Sequence, residues 1–149
     1  MPGGEMTIGA IADVLGGPKR LRQPIQTSSD LAEVTRAGLP VYSLDALANE
    51  LSMPRLSVAK LLGISERTLT RRTNSSSRFT PIESDRIVRF ARVLALAKEV
   101  LGSMEKANQW LKTGNRALEG DKPIDRLDTD AGVRSVEQVL GRIEYGLYS

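Results

Sequence analysis

VAKLLGISERTLTRR, residues Val58 to Arg72, is the stretch whose reading decides the fold. An alanine, three residues, a glycine, a β-branched residue and a serine precede a short polar run carrying Thr, Leu and Arg, the sequence form of a DNA-reading helix-turn-helix. Each position has a physical reason. Ala59 keeps two crossing helices close, and Gly63 supplies the positive φ that a sharp turn after a helix needs. Val58, Leu62, Ile64 and Leu69 close a small core under the turn, and Ser65 is placed to cap the second helix and satisfy its free amides. Glu66, Arg67, Thr68, Thr70, Arg71 and Asn74 then face outward. Arginine suits the O6 and N7 atoms of guanine, and Ser, Thr and Asn suit phosphate oxygens or adenine. Arg72 stands where such motifs commonly place an apolar residue; it is expected to lie along the core edge and reach a phosphate. The candidate DNA-binding set is therefore Ser65, Glu66, Arg67, Thr68, Thr70, Arg71, Arg72 and Asn74.

The charge distribution supports this placement. The net charge is only +3, but residues 55–92 hold nine basic and three acidic side chains, while residues 1–54 and 93–149 are each slightly acidic. The positive charge therefore sits on the motif and the helix that follows it.

Upstream, Thr7 to Leu15 reads as a short helix closed by Gly16 and Gly17, followed by a basic loop between Pro18 and Pro24. The first residues, rich in Gly, Pro and charge, offer little to bury, and 1–28 is expected to be a flexible N-terminal segment. Ser29 is the expected cap of a helix to Ala37, with Gly38 after it and Pro40 blocking continuation. Ser43 is the expected cap of a helix through Leu51, in which Leu44, Leu47, Ala48 and Leu51 form one apolar face. Pro54 fits the start of the motif's first helix.

Downstream, Thr80, Pro81 and Glu83 give the N-cap, N1 proline and N3 acid of a capping box opening a helix from Pro81 to Leu101. Its second half, VLALAKEVL, is apolar on most sides, which fits either core from both halves of the chain or a self-association surface. Gly102 ends it and Ser103 opens a helix carrying Ala107, Trp110 and Leu111, with Trp110 read as a core plug. Asn115 to Glu119 makes one helical turn stopped by Gly120, and Pro123 to Leu127 is read as extended. Asp128 or Thr129 caps a last helix with Val133, Val136, Leu140 and Ile143 on one stripe, ended by Gly146. Gly132 and Gly141 inside it each cost about 1 kcal/mol relative to Ala, so a close backbone approach is expected at both. No strand is evident, and the fold class is all-α.

The chain has no Cys and no His. Disulfides, thiol nucleophiles, imidazole bases and the usual zinc sites are thereby excluded, and no phosphate loop or paired carboxylates stand out. The reading is a non-enzyme without metal or cofactor. The apolar run near the N-terminus is too short for a signal or a membrane span, so a cytoplasmic protein with no membrane partner is expected.

Ala107 to Gly146, ANQWLKTGNRALEGDKPIDRLDTDAGVRSVEQVLGRIEYG, resembles the toxin-binding domain of the Xre/MbcA/ParS-type antitoxins. The family's ordered segments stand here as Trp110-Leu111, Asn115 to Gly120, Pro123, Leu127 to Gly132 and Leu140 to Gly146. Ala37 to Arg72 resembles the family's Xre-like N-terminal domain, so the likeness covers about residues 30–149. It implies the antitoxin of a type II toxin–antitoxin pair, whose partner is a RES-domain toxin that breaks the glycosidic bond of NAD. It also implies a C-terminal domain that covers the toxin's active site, and repression of the antitoxin's own operon by a homodimer bound to operator DNA. The expected division is a helix-turn-helix domain at 29–79, a central linking and dimerisation helix at 80–102 and a toxin-binding domain at 103–149. Arg134, Arg142, Tyr145, Leu147, Tyr148 and Ser149 are the expected toxin contacts, because nothing in the chain's own packing needs them. Trp110, Asn115 and Thr129 are assigned to packing and capping. The alternative is a stand-alone dimeric transcriptional regulator without a toxin partner.

Overall fold

The structure, a computed structural model, describes residues 4–146. Among them every regular element is helical. The chain divides into two compact units, Met1–Arg92 and Val93–Ser149. The division falls inside one long helix, so the stretch read as a separate central element is shared between the units.

The first unit contains α1 (Gly4–Val14), α2 (Gly17–Leu21), α3 (Ser28–Ala37), α4 (Val41–Leu51), α5 (Arg55–Leu61), α6 (Glu66–Ser75) and the first part of α7 (Pro81–Leu101). Its core gathers Leu44, Leu47, Leu51, Val58, Leu69 and Ile87, each at most 2 % exposed. The stretch that offered little to bury contributes Ile11, Val14, Leu15, Leu21 and Ile25 to that interior. The expected basic loop is in part α2: Pro18 sits in the first turn, where its missing N–H costs nothing, and Leu21 anchors the helix by burial.

Two caps differ from expectation. Thr27, not Ser29, opens α3, because its hydroxyl accepts the Asp30 N–H while the Asp30 carboxylate accepts from the Thr27 N–H, a reciprocal box that Ser29 could not form. Asp30 also accepts from the Gln26 N–H, and these backbone bonds hold its carboxyl below the ordinary value. At α4 the N-cap position is Pro40. Ser43 lies inside the helix, fully buried, and donates its hydroxyl to the Leu15 carbonyl at 3.1 Å, satisfying an acceptor left over at the end of α1.

The start of α7 follows the sequence reading: Thr80 accepts from the Glu83 N–H and Glu83 accepts from the Thr80 N–H. The buried hydroxyl of Ser84 accepts the Leu39 N–H at 2.8 Å, and the Phe79 N–H donates to the Leu39 carbonyl, so α7 is stitched to the α3–α4 connection. Gly38 lies under this stitch with φ +94, and a Cβ there would fall 2.4 Å from the Phe79 carbonyl oxygen.

The second unit holds the rest of α7, then α8 (Met104–Leu111), two 3₁₀ turns at Arg116–Leu118 and Pro123–Arg126, and α9 (Asp130–Glu144). Val93, Leu94, Ala95 and Ala97 of the apolar second half of α7 are buried, while Leu96, Val100 and Leu101 are half-buried. Ser103 caps α8 as expected. Trp110 is half-buried, and Ala107 and Leu111 hold the fully buried positions of α8. Pro123 to Arg126 is helical rather than extended, since its proline opens a 3₁₀ turn that buries Pro123 and Ile124.

Candidate functional site

The candidate surface of the first unit is built on α5, the turn and α6. Gly63 has φ +73, and the Ile64 N–H closes the turn on the Ala59 carbonyl at 2.8 Å. Val58, Ala59, Leu62, Ile64 and Leu69 are all at most 4 % exposed, which is the core expected under the turn. The Ser65 hydroxyl accepts the Thr68 N–H at 3.0 Å and donates to the Thr68 hydroxyl at 2.9 Å.

With Leu69 turned inward, the helical rotation of about 100° per residue gathers Arg67, Thr70, Arg71 and Asn74 on the opposite side within an arc of roughly 100°. All four are exposed, as is Glu66; Thr68 is half-buried. The side chain of Ser65 is occupied in capping.

Arg72 has a different environment. Its guanidinium pairs with Glu83 at 3.0 Å, both side chains less than a fifth exposed, and donates to the Arg78 carbonyl at 3.2 Å. Contact with a phosphate would require exchanging Glu83, the same carboxylate that completes the cap of α7. Arg86 of α7 also donates to the Leu62 carbonyl at 3.4 Å. Two arginine contacts thus brace the motif against the helix that follows.

The candidate surface of the second unit is built on α9, and the family-like segments explain its construction. Asn115 caps the first 3₁₀ turn by accepting the Ala117 N–H, Leu118 is buried, and Gly120 takes φ +88 as the chain doubles back. The Asn115 N–H donates to the Asp121 carbonyl and the Gly120 N–H to the Asn115 carbonyl, which closes the loop. Arg126 then bridges Asp121 and the Leu118 carbonyl. Thr129 caps α9 by accepting the Gly132 N–H at 3.0 Å. Gly132 makes the close approach expected of it: a Cβ there would lie 1.8 Å from the Arg126 carbonyl oxygen. Gly141 does not, because a Cβ there would meet nothing within 4 Å among the described residues.

Val133, Val136, Val139 and Leu140 form the buried stripe of α9. Arg134 and Arg142 are exposed and Tyr145 is 59 % exposed; Arg134 pairs with Asp130 one turn earlier at 3.0 Å. Helical rotation sets Arg134, Gln138, Gly141 and Tyr145 on one outward face, with Arg142 beside it. Gln138 is exposed too; it carries no charge or aromatic ring that would mark it in the sequence, and Gly141 is expected there only as a site of close backbone approach. Leu147, Tyr148 and Ser149 lie outside the described residues.

A DNA-reading motif in one unit and a scaffolded outward helix face in another define a two-domain helical regulator. Residues 30–92 match the family described as the antitoxin Xre-like helix-turn-helix domain, and residues 96–146 match the antitoxin Xre/MbcA/ParS C-terminal toxin-binding domain. The chain is 34% identical over 127 residues to a protein named antitoxin Xre from Yersinia enterocolitica, covering 85% of this chain and 86% of that one. It is 35% identical over the same length to an antitoxin Xre from Photorhabdus laumondii, with the same coverage. An antitoxin Xre from Pseudomonas putida is 36% identical over 80 residues, 54% of this chain and 50% of that one. The chain belongs to the Xre family of antitoxins.

Among the described residues no group of three or more acidic side chains is arranged to hold a metal ion, and no helix is long and apolar enough to cross a membrane.

Proposed function

We propose that the chain neutralises a cognate RES-domain, NAD-degrading toxin through the α9 face of its C-terminal unit and represses its own operon through α6, acting as a homodimer in the cytoplasm. The observation that carries the toxin half is the division of labour within the family-like segments. Asn115, Leu118, Leu127, Thr129, Gly132 and Leu140 are consumed in capping, packing or tight backbone approach, and Gly120 in the left-handed turn between them. Arg142 and Tyr145 point outward from the same segments. Both side chains are exposed, and Tyr and Arg are the residue types that anchor interfaces. The exposed arc of Arg67, Thr70, Arg71 and Asn74 supports the DNA half in the same way.

The test is a separation of functions. Arg67→Ala/Arg71→Ala should lose binding to the chain's own upstream duplex and still capture the product of the adjacent gene. Arg142→Ala/Tyr145→Ala should do the reverse. If both pairs of substitutions leave partner capture untouched, the α9 face is not the toxin surface.

A further inference from the structure

The first unit carries a second basic feature, separate from α6. Lys19, Arg20 and Arg22, on and just after α2, and Arg78, in the α6–α7 connection, surround an open hollow of about 640 Å³ that also touches Tyr42 and Ser76. Four cations line it and no carboxylate does. All four are exposed, and among the described residues neither Lys19 nor Arg22 has an ion-pair partner.

The fold holds these like charges together against their mutual repulsion. Leu21 is buried and anchors α2. Arg20 lies over the Tyr42 ring at 4.4 Å, and Gly16 packs so closely on that ring that a Cβ would come within 2.6 Å of it. Arg78 donates to the Gly38 carbonyl at 2.8 Å. Arg22 takes a left-handed φ of 61°, uncommon for a residue with a side chain. A cluster of cations held in place without a counter-charge is suited to an external anion.

Its position says which anion. Ser76 is the C-cap of α6 and Arg78 follows two residues later. α6 has ten residues, about 15 Å of helix, against a major groove about 12 Å wide. With the first turn of a recognition helix on base edges, its last turn emerges at the wall of the groove, where the phosphates run. The hollow is open and none of its four cations is buried, which fits an extended polyanion rather than an enclosed small ligand.

We propose that this hollow clamps backbone phosphates of the operator duplex, making α2 a sequence-independent DNA contact added ahead of the residues that match the helix-turn-helix family. The inference rests on the DNA-reading role proposed for α6. α2 then sets affinity and orientation, and α6 sets the choice of sequence.

The test uses the full chain with Lys19→Gln/Arg22→Asn, asparagine being chosen because it tolerates the left-handed backbone at that position. Binding to the chain's own upstream duplex and to a scrambled duplex is followed by fluorescence anisotropy over a salt series. The expected result is that both affinities fall by the same factor and the slope of log K against log salt becomes shallower by about 1.8, two phosphate contacts at roughly 0.9 each. Lys19→Gln alone should remove about half of that slope change, and Lys19→Arg/Arg22→Lys should restore the parent slope. Parent binding with an unchanged slope in both neutral variants would overturn the clamp and leave the α6 reading intact, as would a loss confined to the operator sequence. A parent chain that binds neither duplex would overturn both.

Discussion

Replacing glycine by alanine at two places on α9 should have opposite effects. At Gly132 the new Cβ would lie 1.8 Å from the Arg126 carbonyl oxygen, 2.8 Å from its carbon and 3.1 Å from the Thr129 hydroxyl. Ordinary contact begins near 3.4 Å, so α9 and the 3₁₀ turn before it must part by about 1.6 Å. Such overpacking costs about 1–3 kcal/mol. Displacing the Thr129 cap costs about 1 kcal/mol more. The helical preference of Ala over Gly returns about 1 kcal/mol. The net expectation for Gly132→Ala is a loss of about 2 kcal/mol, roughly 10 °C in the melting of a unit of this size. At Gly141 there is nothing to displace and only the propensity gain remains, so Gly141→Ala should stabilise by up to about 1 kcal/mol. Urea unfolding followed by fluorescence is well suited to this comparison, because the single tryptophan, Trp110, lies in the second unit. Gly132→Ala as stable as the parent, or Gly141→Ala as damaging as Gly132→Ala, would refute the reasoning.

Three further outcomes follow from the same structure. Arg72→Ala should lower the stability of the first unit by about 1–3 kcal/mol by leaving Glu83 half-buried without its partner, while the salt slope of DNA binding stays at the parent value; a slope shallower by about 0.9 would identify Arg72 as a phosphate contact instead. The carboxyl of Asp30 is held below its ordinary value by the Gln26 and Thr27 N–H bonds, so its ionisation favours the folded state above the ordinary carboxylate range and that contribution is lost as pH falls through the lowered value. The stability gap between the parent and Asp30→Asn should therefore be present at pH 7 and shrink in acid, and a gap independent of pH would contradict it. Removing Leu147 to Ser149 should weaken neutralisation of the toxin without changing operator affinity, and unchanged rescue by the shortened chain would show that the tail is not part of the surface.

The elements legible in the sequence were those whose signals are local. Ser65, Thr80 and Ser103 each cap a helix through a bond spanning three residues, and Gly63 needs only its own φ, so residue order alone reveals them; at α9 it narrows the cap to Asp128 or Thr129. Ser43 was misplaced because its bond goes to Leu15, 28 residues away, and no local pattern encodes that partner. Gly132 and Gly141 look alike in sequence and differ only in what lies opposite. Arg72 read as an intruder at an apolar position because the carboxylate that accommodates it, Glu83, was already assigned to a cap. The three cations around α2 were visible as a basic stretch, but their meeting with Arg78 depends on how α2 lies against Tyr42.

The central claim is that this chain protects cells from an NAD-degrading partner through its C-terminal unit. The most direct measurement is the cellular NAD pool after induction of the adjacent gene, alone, with the parent chain, and with Arg142→Ala/Tyr145→Ala. Depletion is expected in the first case, preservation in the second and renewed depletion in the third. Depletion that persists beside the intact chain, or an NAD pool that the adjacent gene never lowers, would contradict that claim.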